Sequence, residues 1–174
     1  MDDKPHIAFT WQGNSILRAI IIGVEISVPD GTKHEYQALI DTGATHSAVT
    51  KKVADELGLI QSGLTRNHTA GGLVENAKTY VVDIYFKGGS ICFKKYEVVE
   101  VQLTAGNYEM LVGMDIITQG DFAITHKDGK TKLTFSVPPT RDFDFVPESN
   151  NHNRFLQEKQ RREANRINKK KGKK

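Results

Sequence analysis

One cysteine, Cys92, is all that the chain possesses. No internal disulfide can form, so a reducing compartment, the cytoplasm, is the simpler expectation. A lone thiol cannot build a zinc site, and the six histidines stand at no ligand-like spacing from one another. Neither a metal nor any other cofactor is therefore expected. Long apolar runs are missing as well. The longest, Ala19-Ile20-Ile21-Ile22-Gly23-Val24, is far too short to span a bilayer, and no membrane partner is expected. The opening residues, Met1-Asp2-Asp3-Lys4-Pro5, lack the basic-then-apolar order of a signal peptide.

What is present describes one ordinary domain with an appendage. At 174 residues the chain can bury a sizeable core. An apolar content of 38% against 26% charged residues places it among soluble globular proteins. The net charge of +3 conceals an asymmetry. Residues 141–174 hold eleven Lys/Arg against five Asp/Glu, whereas residues 1–140 hold thirteen against sixteen. A mildly acidic body thus precedes a strongly basic tail. The boundary is expected at Pro138-Pro139, where β-type patterning stops.

Most of residues 6–137 reads as strands. Leu17–Val28 is rich in Ile and Val, Pro29-Asp30-Gly31-Thr32 supplies turn chemistry, and His34–Ile40 returns as a hairpin partner. Over Thr50–Leu59, Val53, Ala54 and Leu57 fall at helical spacing with Gly58 placed to end the helix. Residues 66–86 read as a second hairpin with Thr69-Ala70-Gly71-Gly72 at its tip. Further strands are expected at 80–86 and 91–103, and a buried one in Met110-Leu111-Val112. Met114–Thr118 then reads as one or two helical turns. Phe122–His126 and Lys132–Val137 flank Lys127-Asp128-Gly129-Lys130, another hairpin signal.

Within this pattern, an apolar strand runs directly into Asp41-Thr42-Gly43, followed by small Ala44 and a short helix. A second apolar strand ends in Leu111-Val112-Gly113 before another short helix. A hairpin with a Gly-Gly tip lies between the two. Each part alone is weak, and Asp and Gly are common in ordinary turns. The ordered combination resembles the retropepsin family, the single-domain, homodimeric aspartic proteases of retroviruses, retrotransposons and some cellular proteins.

The resemblance covers roughly residues 15–137 and implies an all-β, closed barrel-like acid-protease fold with two short helices. It makes Asp41, Thr42 and Gly43 the catalytic triplet. It puts Thr69, Ala70, Gly71, Gly72 and Leu73 on a flap that covers the substrate. Ala44, Leu111, Val112 and Gly113 become supports of the active-site loop. An aspartic endopeptidase activates water directly: two carboxylates a few ångströms apart share one proton, one taking a proton from water while the other donates to the scissile carbonyl. Activity should therefore peak in mildly acidic solution. Thr42 can brace the pair across a dimer axis, and Gly43 lets the backbones approach. Only one such triplet is present, so the expected active species is a homodimer acting on a polypeptide substrate, with Asp41 of each chain at the two-fold axis.

Departures from the family leave specificity open. Thr45 stands where many viral members carry an acidic residue, the flap is not of the glycine-rich apolar type, and 122–137 is longer than a single end strand. The adjacency of Asp41, His46 and Ser47 is no evidence for a hydrolytic triad, whose members meet in space rather than in sequence. Asp115, at a helix start, reads as a capping or salt-bridge residue. The expected organisation is an N-terminal segment, 1–14, a protease domain, 15–137, and a basic, flexible or helical tail, 138–174. The 154–174 stretch could tether nucleic acid or an acidic partner. The rival reading is a non-cleaving dimerisation or peptide-binding module that keeps the fold.

Overall fold

The computed structural model describes residues 5–69, 72–86, 91–103 and 106–171. They divide into two compact units, Met1–Thr140 and Arg141–Lys174. The first is built almost wholly of strands: β1 (Ile7–Gln12), β2 (Ile21–Ser27), β3 (His34–Ile40), β4 (Ala48–Thr50), β5 (Gln61–Thr69), β6 (Gly72–Phe86), β7 (Cys92–Val101), β8 (Met110–Val112), β9 (Asp121–Thr125) and β10 (Lys132–Val137). Two short helices interrupt them, α1 (Lys51–Glu56) and α2 (Met114–Ile117), and a 3₁₀ turn over Lys127–Gly129 joins β9 to β10. The second unit is a single helix, α3 (Phe145–Lys171).

Alternation of side chains explains the sheet. In β2, Ile22, Val24 and Ile26 are buried while Ile21, Gly23 and Glu25 between them are half-buried, the period of two that a strand imposes. Each such aliphatic side chain withdrawn from water contributes roughly 1.5–3 kcal/mol before its ordering cost. The larger sheet runs β2-β3-β8-β4-β7-β6-β5, and β2 pairs again with β6. That second pairing closes β2, β3, β8, β4, β7 and β6 into a ring, leaving β5 attached to β6 as a hairpin. This is the expected all-β, barrel-like fold.

A smaller sheet, β1-β10-β9, is antiparallel throughout. Residues 7–12, set apart above as an N-terminal segment, supply its first strand, with Phe9 buried in the core. Phe9, Phe86 and Phe135 meet at ring separations of 5.6 and 6.0 Å, joining the small sheet to the ring. The first helix is shorter than its sequence pattern. Thr50 closes β4 and caps α1, accepting from the Val53 N–H at 3.4 Å, and Gly58 at φ +59° ends it as expected.

One buried charge shapes the β6–β7 ladder. Its register shifts between Val82 and Ile84, where Asp83, 1% exposed, faces Lys94 and Lys95. Asp83 accepts from the Lys95 N–H and from Lys94 Nζ, each at 2.8 Å, and Lys95 adopts φ +50°. Burial pushes the Asp83 carboxyl up, but the bonds from Lys94, Lys95 and Tyr85 outweigh it and hold it below the usual carboxylate range. A depressed folded value means that its stabilisation is present above the unfolded value, about 3.9, and fades as pH falls through the folded one. Asp83→Asn should lower stability by about 2 kcal/mol in urea unfolding at pH 7. The difference from wild type should stay constant between pH 5 and 8 and shrink only under strongly acid conditions.

Candidate active site

Asp41 begins where β3 ends. Its N–H donates to the Val112 carbonyl at 3.0 Å, extending by one residue the parallel pairing of β3 with β8. The backbone therefore enters the loop already held by the sheet. Gly43 N–H donates to Asp41 Oδ1 at 2.9 Å, and Ala44 N–H to the Asp41 carbonyl at 3.2 Å, a tight turn closed partly by the carboxylate itself. Asp41 is half-buried, whereas Thr42 and Gly43 are exposed.

The far side of the loop interlocks with the residues after β8. Met114 N–H donates to the Ala44 carbonyl at 2.8 Å and Asp115 N–H to that of Thr45 at 3.2 Å. Ser47, fully buried, donates its backbone N–H and its hydroxyl to the two Asp115 carboxylate oxygens, at 2.8 and 2.7 Å. The same hydroxyl accepts from the Gly113 N–H at 3.0 Å, and Asp115 Oδ1 also accepts from Ile116 N–H. A Cβ on Gly113 would lie 2.7 Å from both the carbonyl carbon and the oxygen of His46, so only glycine fits this crossing. Burial, and then the Asp115 charge, push the Tyr96 hydroxyl up to about 12. An apolar layer of Ile40, Val112, Ile116, Phe122 and Phe135 lines a small cavity beneath.

Asp41 and Thr42 share a surface groove with Arg18, Ile20, Leu39, Ile40 and Ile124. The structure thus brings Asp41, Thr42, Gly43, Ala44, Val112 and Gly113 together, with Leu111 on β8 paired to β3 and β4. Gly72 and Leu73 lie on β6, in the β5–β6 hairpin at the other end of the strand order. Ala70 and Gly71 lie outside the described residues, as does the Thr69 side chain, the Thr69 backbone pairing with Gly72. Leu64, Leu73 and Val74 are exposed apolar side chains of that hairpin.

Ser47 enters the sequence reading only as a triad member, and its place in the interlock has no sequence signal beyond a small polar residue between the triplet and an apolar strand. Its bonds to Asp115 and Gly113 also remove the triad reading, because the His46 ring meets Thr45 instead, at 2.9 Å. Arg18 and Ile124 had no signal at all. Among the described residues, no three His, Cys, Asp or Glu side chains gather where they could hold a metal. No helix among them is long and apolar enough to cross a membrane.

A sequence model of the family described as aspartyl protease matches residues 24–116, from β2 to α2. The chain belongs to the aspartyl protease family. The matched span holds the 41–47 loop and the 112–115 segment that interlocks with it. No curated protein matches the chain. Among solved structures, a retropepsin-like aspartic protease from Rickettsia conorii is 17% identical, covering 79% of this chain and 98% of its own, with a TM-score of 0.49. The retroviral protease-like domain of Ddi1 from Leishmania major is 20% identical, covering 71% and 97%, with a TM-score of 0.39.

The interlock should be sensitive to single atoms. Ser47→Ala removes the hydroxyl but not the charge it satisfied, and should cost about 1–3 kcal/mol. Gly113→Ala should cost as much or more, because the atoms it strikes are backbone. Thermal and urea unfolding of both variants checks this, with Thr45→Ala, on the exposed side of the loop, expected to stay within about 0.5 kcal/mol of wild type.

Proposed function

We propose that the chain is an aspartic endopeptidase that acts as a homodimer, with Asp41 from each subunit forming the catalytic pair. The observation that carries the reading is a single half-buried carboxylate on a loop pinned by the sheet behind it, beside a groove, in a chain of the aspartyl protease family. One carboxylate can take a proton from water, but it cannot at the same moment donate one to the scissile carbonyl. A second Asp41, brought by another copy, supplies the missing half. The two then share a proton, so the rate falls on both sides of an acidic optimum.

Thr42 offers its exposed hydroxyl to the facing loop, and Gly43 keeps the two backbones able to approach. Support for the meeting face comes from β9, an edge strand of the small sheet. It carries Ile124, 39% exposed and lining the Asp41 groove, and exposed Ile16 and Leu17 lie in the segment between β1 and β2 that also gives Arg18 to the groove. Residues 69–73 cover an extended polypeptide, whose backbone pairs with the β5–β6 hairpin as an added strand would. Exposed Leu73 and Val74 give it apolar contacts for substrate side chains.

Two measurements test this. Asp41→Asn should abolish cleavage of an unstructured polypeptide at pH 4–6 without lowering the melting temperature by more than a few degrees. Added to wild type, it should poison activity by forming mixed dimers. Ile124→Glu should shift the sedimentation equilibrium toward monomer, and activity per chain should fall on dilution. Cleavage retained by Asp41→Asn, or full activity from a strictly monomeric solution, overturns the proposal. A stable dimer that never cleaves favours the binding-module reading.

A further inference from the structure

The proteolytic reading leaves α3 without a task. The helix runs unbroken over Phe145–Lys171, about 40 Å at 1.5 Å per residue. Residues 154–174 hold ten Lys/Arg against two Asp/Glu. At about 100° per residue, Arg154, Lys159, Arg161, Arg162 and Arg166 fall within roughly 160° of its circumference, and all five are exposed. Among the described residues, the contacts of these cations are slight: Arg154 donates to Asn151 at 2.8 Å and Arg162 pairs with Glu158 at 4.0 Å. Both are exposed and local, worth a few tenths of a kcal/mol.

We propose that this face binds the phosphate backbone of duplex DNA by lying along the major groove, without sequence selectivity. The breadth of the cationic arc carries the argument. A flat anionic surface can meet only a narrow stripe of a helix, whereas a groove presents phosphates on two walls. The B-DNA major groove, about 12 Å wide, admits an α-helix, while that of an RNA duplex is too narrow. Four of the five cations are arginines, whose planar forks bind phosphate oxygens in pairs.

A membrane surface fits worse. Among the described side chains, the opposite face sets Phe145 and Leu156 among Ser149, Asn153, Gln160 and Glu163, and Phe155 falls within the basic arc, so they form no continuous apolar stripe to enter a bilayer. No aromatic series is present for stacking single-stranded bases. The five cations span about 18 Å, along which B-DNA carries roughly ten phosphates. Neutralising about four of them gives a slope near −4 in log affinity against log salt.

Fluorescence anisotropy with the full-length protein decides the matter, using labelled DNA duplexes of two unrelated sequences. Matched RNA duplex, single-stranded DNA, polyglutamate and anionic phospholipid vesicles serve as competitors. Both DNA duplexes should bind alike, at least tenfold tighter than any competitor, with affinity falling on the order of a hundredfold between 50 and 200 mM salt. Converting Arg154, Arg161, Arg162 and Arg166 to Gln, a good helix former, should weaken binding at least tenfold and make the salt slope shallower by about three. Arg→Lys at the same positions should keep the slope, and Asp41→Asn should bind as wild type does. Equal affinity for RNA duplex, polyglutamate or vesicles overturns the proposal, as does a slope that the Gln variant leaves unchanged.

Discussion

The structure of the site depends on one interlock: the 41–47 loop and the 112–115 segment hold each other by their backbones, and the Ser47–Asp115 pair seals the joint. A carboxylate that accepts two bonds from one buried residue fixes that residue in both position and direction. The crossing is close enough that Gly113 cannot carry a side chain, so neither segment can slide past the other. Asp41 therefore stands on backbone that hydrogen bonds hold on both sides of it. Catalytic groups gain most from being placed in advance, because the ordering cost is met in folding rather than in the reaction.

The ring of strands explains why this joint does not open. β8 contributes only three residues, yet it lies between β3 and β4, parallel to one and antiparallel to the other. Two neighbours and a buried Met110 and Val112 hold so short a strand where its own length would not. The pairing of β2 with β6 closes the ring at the opposite side. The β5–β6 hairpin extends beyond it, and the first five residues of β6 are exposed before the strand enters the core. The same strand is thus a free arm at one end and a wall at the other, and Asp83 marks the bulge in its buried half.

Local signals made much of this legible. The apolar run into Asp41, the Leu111-Val112-Gly113 strand and the Asp128-Gly129 turn each carry their geometry in adjacent residues. So did the end of α1 at Gly58. What could not be read were partnerships across long separations. Ser47 and Asp115 are 68 residues apart, and nothing local distinguishes their pairing from two unrelated polar residues at element ends. Residues 7–12 carry apolar residues, but nothing local joins them to the domain, because β1 is buried only at Phe9 and takes its place from β10, far along the chain. Arg18 and Ile124 meet Asp41 at a groove assembled from three distant segments, and such a groove exists only after the fold does.

As proposed, a chain that supplies one carboxylate to a catalytic pair ties activity to association. On the proposed reading, activity is proportional to dimer, so whatever stabilises the meeting face raises the rate without touching the chemistry. The hydrogen bonds that pin the loop favour that coupling. If Asp41 were free to reorder when a partner arrived, part of the association energy would go to fixing it; a loop already pinned leaves nearly all of that energy to the interface. The groove beside Asp41 sets Ile20, Leu39 and Ile124 beside Arg18 and Thr42, and on the proposed reading these apolar side chains favour withdrawal from water when two copies meet. That withdrawal in turn lowers the local dielectric around two carboxylates, which is the condition under which they must share a proton. Association and the acidity of the pair are then consequences of the same burial, and a change that weakens one should weaken the other.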